Sequence, residues 1–137
     1  MNKIKYNSDS MKLITLFESM TGAKVKDCIA DEKLIFVIEE NEMGKAIGKN
    51  GVNIKRIENK LKKKIKLVEF SNNVIQFVKN IIYPVEVFDI KQESNIIIIH
   101  GKDIQSKAML IGRERQNINN VGDIVRRYFD IKEIRVV

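Results

Sequence analysis

The chain has 137 residues, 44% apolar and 31% charged, a mixture that excludes a disordered polymer and fits one ordinary domain or two very small ones. Runs such as Ile96 to Ile99 are far too short to cross a bilayer, no signal-peptide-like apolar stretch follows Met1, and one cysteine with one histidine supplies neither a disulfide nor a zinc cluster. Twenty-five basic residues against 18 acidic ones give +7, and the segment Met43 to Lys66 alone carries nine cations and one acid, Glu58, so a field suited to a polyanion is concentrated in one place. The expectation is an intracellular, cytoplasmic protein with no membrane partner, metal or cofactor.

Taken in chain order, Leu13, Leu16, Phe17 and Met20 have the i, i+3, i+4, i+7 spacing of an amphipathic helix, with Ser8, Asp9 or Ser10 as its cap and Gly22 as its stop. Extended runs follow at about 24–30 and 33–39, the second built on Leu34-Ile35-Phe36-Val37-Ile38. A short helix over about 41–47 leads into Gly48, and a second, over about 52–61, places Ile54, Ile57 and Leu61 on one face. Residues 65–70 close the unit as a strand. In the remainder, Asn73 caps a helix whose core face is Val74, Phe77, Val78, Ile81 and Ile82 and which Pro84 stops. Strands are predicted near 85–91 and 95–100, then a helix over about 102–111 reaching Gly112. A further helix carries Ile118, Val121, Val125 and Tyr128 on one stripe, and a strand over 131–136 ends the series.

The same order, α-β-β-α-α-β, occurs twice, and an internal repeat underlies it. Ile47-Gly48-Lys49-Asn50-Gly51-Val52-Asn53-Ile54 aligns with Ile111-Gly112-Arg113-Glu114-Arg115-Gln116-Asn117-Ile118 at an offset of 64 residues. Ile, Gly, Asn and Ile are identical, and each first glycine precedes a basic residue. Two domains follow, residues 1–72 and 73–137, joined at the short polar stretch Ser71-Asn72-Asn73.

Gly48-Lys49-Asn50-Gly51 lies between two predicted helices. Glycine there permits positive φ and close backbone approach, and the N-terminus of the following helix adds unpaired N–H groups and a positive dipole end. Lys49 places a charge in the loop, with Lys45, Lys55 and Arg56 flanking it. Such a loop suits a phosphodiester backbone, provided that it is exposed and keeps amides that the protein's own carbonyls do not engage. Lys60, Lys62, Lys63 and Lys64 have the look of a solvated helix end. Glu39, Glu40 and Glu42 lie beside a helix start and favour its dipole rather than acid–base work. Asn53 and Asn117 bond either backbone near the loop or a nucleotide. Cys28 is a packed strand residue, His100 has no partner for nucleophilic chemistry, and Phe17, Phe36 and Phe77 fall on core faces.

On the G-x-x-G loop, its helical flanks and the duplicated element order, the sequence resembles the K-homology (KH) domain, and the tandem arrangement resembles the archaeal NusA-like transcription factors. The resemblance covers about residues 8–136. It implies an α+β fold of two tandem type II (prokaryotic) KH domains, each a three-stranded sheet packed by helices. It implies further that Gly48, Lys49, Asn50 and Gly51 contact RNA phosphates, with Ile47 and Ile54 bordering a groove for bases. The second copy keeps Gly112 but carries Arg115 where the last glycine belongs, and Glu114 repels phosphate at short range. Gly112, Arg113, Arg115 and Asn117 are therefore expected to form a weaker, secondary RNA site or one that grips through its two guanidiniums, the alternative being a mainly structural unit that continues the first groove. The function implied is single-stranded RNA binding by a NusA-like elongation or termination factor, with RNA polymerase as a partner. A ribosomal role and a protein-interaction module are the alternatives. With no nucleophile–base pair and no P-loop pattern, the residues point to no enzyme.

Overall fold

A computed structural model of the chain describes residues 8–30 and 33–137. It contains two compact units, one ending at Ser71 and the other beginning at Asn72.

In the first unit, helix α1 (Ser8–Thr21) is followed by strands β1 (Val25–Ala30) and β2 (Leu34–Ile38). Helices α2 (Met43–Ile47) and α3 (Val52–Leu61) flank a single 3-10 turn, Lys49–Gly51, and strand β3 (Ile65–Glu69) closes the unit. The sheet order is β1-β2-β3, with β1 antiparallel and β3 parallel to β2. Parallel pairing of β2 and β3 needs a crossover, and α2, the turn and α3 supply it. That connection carries the glycine loop.

Alternation in β2 sends Leu34, Phe36 and Ile38 to one face, where they pack with Ile14 and Phe17 of α1, Ala46 of α2 and Ile57 of α3. The Phe17 and Phe36 rings lie 4.4 Å apart and anchor this core. Of the predicted α1 stripe, Phe17 is buried and Leu13 and Met20 pack against this core, whereas Ile14 is buried and Leu16 lies only partly covered away from it. Ser10, also buried, continues the inward row of Ile14 and Phe17 at i, i+4, i+7. Asp9 and Ser10 lie inside the helix rather than before it, and the Ser8 side chain lies outside the described residues. Gly22 ends the helix as expected, at φ 76° with its N–H bonded to the Glu18 carbonyl.

The second unit repeats the plan with α4 (Val74–Ile82), β4 (Val87–Glu93), β5 (Ile96–Gly101), α5 (Ile104–Ile111), α6 (Gln116–Arg126) and β6 (Glu133–Val136). Its sheet order is β4-β5-β6, again antiparallel then parallel. Asn73 is the N-cap of α4, its side-chain oxygen accepting the Gln76 N–H at 3.0 Å. Strand β4 starts two residues later than predicted because the Val85 N–H turns back to the Ile82 carbonyl. Helix α5 also starts later, at Ile104, where Asp103 caps it through the Ser106 N–H. Phe77, Val78, Ile97, Ile99, Ile118, Val121 and Val125 are buried, and Tyr128 meets Phe77 edge-on at 5.6 Å.

Candidate nucleic-acid interface

Backbone geometry shapes the first loop. Gly48 has φ 76° and ψ 170°, Asn50 has φ 56° and ψ 26°, and Gly51 has φ 75° and ψ 17°. The Gly48 values are open only to glycine, and asparagine is among the few residues that tolerate the left-handed region of Asn50. A Cβ on Gly48 would also stand 2.8 Å from Cγ of Asn53.

Part of the loop's hydrogen-bonding capacity is used internally. The Gly48 N–H donates to the Gly44 carbonyl, Gly51 N–H to Gly48, and Val52 N–H to Lys49. The N–H groups of Lys49 and Asn50 meet no acceptor among the described residues. The amides available to a ligand are thus these two, and not those of both glycines. Lys49 and Asn50 are exposed, and Gly48 and Gly51 are partly so.

Around the loop, Lys45, Lys55 and Arg56 are all exposed. Lys45 lies 3.4 Å from the Glu42 carboxylate. Glu42 sits at the N-cap position of α2 without capping it; its carboxylate accepts the Lys24 N–H at 2.9 Å and so ties α2 to the chain entering β1. That backbone bond, and then the Lys45 ammonium, hold the Glu42 carboxyl below its usual range. At the other end of the basic segment, burial pulls the Lys66 ammonium below its ordinary range, with the Lys33 charge a second cause. Lys62, Lys63 and Lys64 are exposed beyond the α3 C-terminus, and Lys62 occupies the left-handed cap position with its N–H on the Glu58 carbonyl. Ile47 is 39% exposed and Val52 47%, giving the loop an apolar residue on each side. Val52 was not singled out in the sequence, since a valine opening a helix carries no chemical signal. Ile54 is partly covered.

The second loop has the same backbone shape. Gly112 (φ 74°, ψ 175°), Glu114 (φ 53°, ψ 32°) and Arg115 (φ 63°, ψ 20°) follow Gly48, Asn50 and Gly51 closely. Arg115 thus takes the left-handed conformation expected to need glycine. What differs is the surface. Arg113, Glu114, Gln116, Asn119 and Asn120 line an open hollow of about 330 Å³ and sum to zero charge. Their counterparts at the offset of 64 are Lys49, Asn50, Val52, Lys55 and Arg56, which sum to +3.

Asn53 and Asn117 prove to bond backbone. Nδ2 of Asn53 donates to the Lys45 carbonyl at 2.8 Å, and Nδ2 of Asn117 to the Met109 carbonyl, also at 2.8 Å. His100 pairs through Nδ1 with Asp89 across β4 and β5, an interaction that sequence spacing did not disclose. Cys28 is buried, and no cluster of metal-ligand type occurs among the described residues.

A family model described as "KH domain" matches residues 13–81, which takes in most of the first unit and nearly all of α4. A "Probable transcription termination protein NusA" of Methanococcus vannielii is 40% identical over 98% of this chain and 80% of its own length. The protein of the same description from Thermoplasma acidophilum is 30% identical over 99% of this chain and 97% of its own. The chain belongs to the archaeal NusA-like family. A crystal structure of APE1850 matches with a TM-score of 0.75 at 27% identity, covering 96% of this chain and all of that one. The two units of this NusA-like protein are accordingly tandem KH folds, and the glycine loop described above is the G-x-x-G of the first. Membership in this family makes the chain an RNA-binding factor rather than an enzyme. No helix among the described residues is long and apolar enough to cross a membrane.

Proposed function

We propose that the chain binds single-stranded RNA through the loop Gly48–Gly51 and acts on transcription as an elongation or termination factor, in contact with nascent transcript and RNA polymerase. The first KH domain, residues 1–72, is the principal grip and the second, residues 73–137, the weaker one. The observation that carries this reading is the exposed loop whose Lys49 and Asn50 N–H groups have no acceptor among the described residues, ringed by Lys49, Lys45, Lys55 and Arg56. Two backbone donors plus mobile cations match a phosphate, which offers acceptors in several directions and a full charge. Ile47, Val52 and Ile54 give the neighbouring bases apolar surface to lie on. At the second loop, Gly112, Arg113 and Arg115 retain the backbone form and two guanidiniums, but Glu114 and the neutral amides beside them lower the attraction.

The test is RNA affinity after charge reversal. Lys49→Asp with Asn50→Asp is expected to weaken binding at least tenfold, about 1.4 kcal/mol. Aspartate tolerates the left-handed conformation of Asn50, so the fold is expected to survive. The same reversal at Arg113, with Glu114 left in place, is expected to cost less. Equal losses at the two loops would overturn the ranking. An unchanged affinity in the first double variant would overturn the reading.

A further inference from the structure

We propose that Asn53 in the first unit, and Asn117 in the second, are positioning residues that hold the phosphate-facing loop in its binding shape without touching RNA; this rests on the reading of that loop given above. Each asparagine stands in the first turn of the helix after the loop. Each donates to a carbonyl near the end of the helix before it, Lys45 or Met109, over the same eight-residue span and the same 2.8 Å. Carbonyls at a helix C-terminus lack intrahelical partners, so the bond satisfies an orphan acceptor and fastens the two helices across the loop.

The glycine that opens each loop is mated to this asparagine. A Cβ on Gly48 would come 2.8 Å from Cγ of Asn53, and one on Gly112 would come 2.6 Å from Cγ of Asn117. Between Gly48 and Asn53 the two copies share no residue: Lys49-Asn50-Gly51-Val52 faces Arg113-Glu114-Arg115-Gln116. The backbone form is nonetheless the same in both. What the copies retain is the frame, glycine and asparagine, and what they vary is the surface. Residues held at positive φ persist only where the surroundings over-determine them. The first loop has one such non-glycine residue, Asn50, and the second has two, Glu114 and Arg115. The second loop therefore depends more heavily on its strut. In the first loop, the product of this restraint is the pair of N–H groups at Lys49 and Asn50 left over for a ligand.

The decisive variant is Asn53→Ala, which removes the donor without adding charge and places the best helix former in α3, so that the helix itself is not weakened. Two quantities are read in the full-length protein, at a temperature where circular dichroism shows it folded. They are affinity for a fluorescein-labelled random-sequence single-stranded RNA and backbone nitrogen relaxation of residues 48–51 in the free state. The expected result is a loss of affinity of about tenfold, with lowered order at Lys49 and Asn50 and unchanged order in β2 and α1. Asn117→Ala is expected to disorder its own loop more than Asn53→Ala does the first. A loop that stays ordered in Asn53→Ala, or one that loosens with no change in affinity, overturns the proposal. Should Lys49→Asp with Asn50→Asp leave affinity unchanged, the RNA reading fails on its own account, and loop order in Asn53→Ala still decides whether the strut sets the backbone.

Discussion

The salt dependence of RNA binding follows from the charges around the first loop. Each phosphate neutralised on a single strand contributes about −0.7 to the slope of log affinity against log salt. Lys49, Lys55 and Arg56 are exposed, while Lys45 is shared with the Glu42 carboxylate 3.4 Å away. Three phosphates give a slope of about −2 and four a slope of about −3, so the native protein is expected between these values. Replacing Glu42 by Gln keeps an oxygen for the Lys24 N–H but frees Lys45 from its partner. The Glu42→Gln slope is then expected to approach −3, with affinity at low salt rising by a few-fold, the scale of an exposed ion pair. Fluorescence anisotropy titrations of a labelled single-stranded RNA across a salt series give both numbers. A native slope shallower than about −1 would refute the phosphate grip. A Glu42→Gln slope equal to the native one would show that Lys45 takes no part in it.

Four further outcomes are expected. Gly48→Ala, which meets both the glycine-only backbone and the Asn53 side chain, is expected to lower stability in urea by about 1–3 kcal/mol. Gly44→Ala, with open space around it inside α2, is expected to be neutral or stabilising by up to about 1 kcal/mol. The Ser106 N–H bonded to Asp103 holds that carboxyl below its usual range, so its stabilising contribution is complete above the unfolded-state pKa and disappears as pH falls through the lower folded value. Asp103→Asn, which keeps a capping oxygen, is expected to preserve stability at neutral pH and flatten the acid limb of the unfolding midpoint, while Asp103→Ala, which removes the cap, is expected to lower the midpoint at neutral pH. Finally, Cys28 is 3% exposed, and its reaction with a thiol reagent is expected to proceed only at the rate of unfolding.

The element order was legible in the sequence because each element carried a local signal. Helix α3 has its predicted limits, since a glycine stands before it and apolar residues recur at helical spacing within it. Asn73 and Gly22 cap as expected, because a cap depends on the side chain or backbone freedom of one residue. One place in the inward row of α1 escapes local pattern: Leu13, Phe17 and Met20 meet the core as their spacing predicts, and Leu16 does not. Leu13, Ile14, Leu16 and Phe17 form a broad apolar arc, and only the sheet it lies on selects Ile14 over Leu16.

The candidate site divides in the same way. Composition and the G-x-x-G spacing placed the cations and the loop, because charge and glycine content belong to the chain itself. Which amides remain unengaged, the mating of Gly48 with Asn53, and the left-handed backbone of Arg115 depend on atoms brought together by two helices meeting across a turn. The Asp89–His100 pair likewise exists only through strand register. Charge and chain reversals can be placed from residue order alone. Which donors face inward and which remain for a ligand is set only when the helices pack, since hydrogen bonds are settled by distance and angle that no single segment contains.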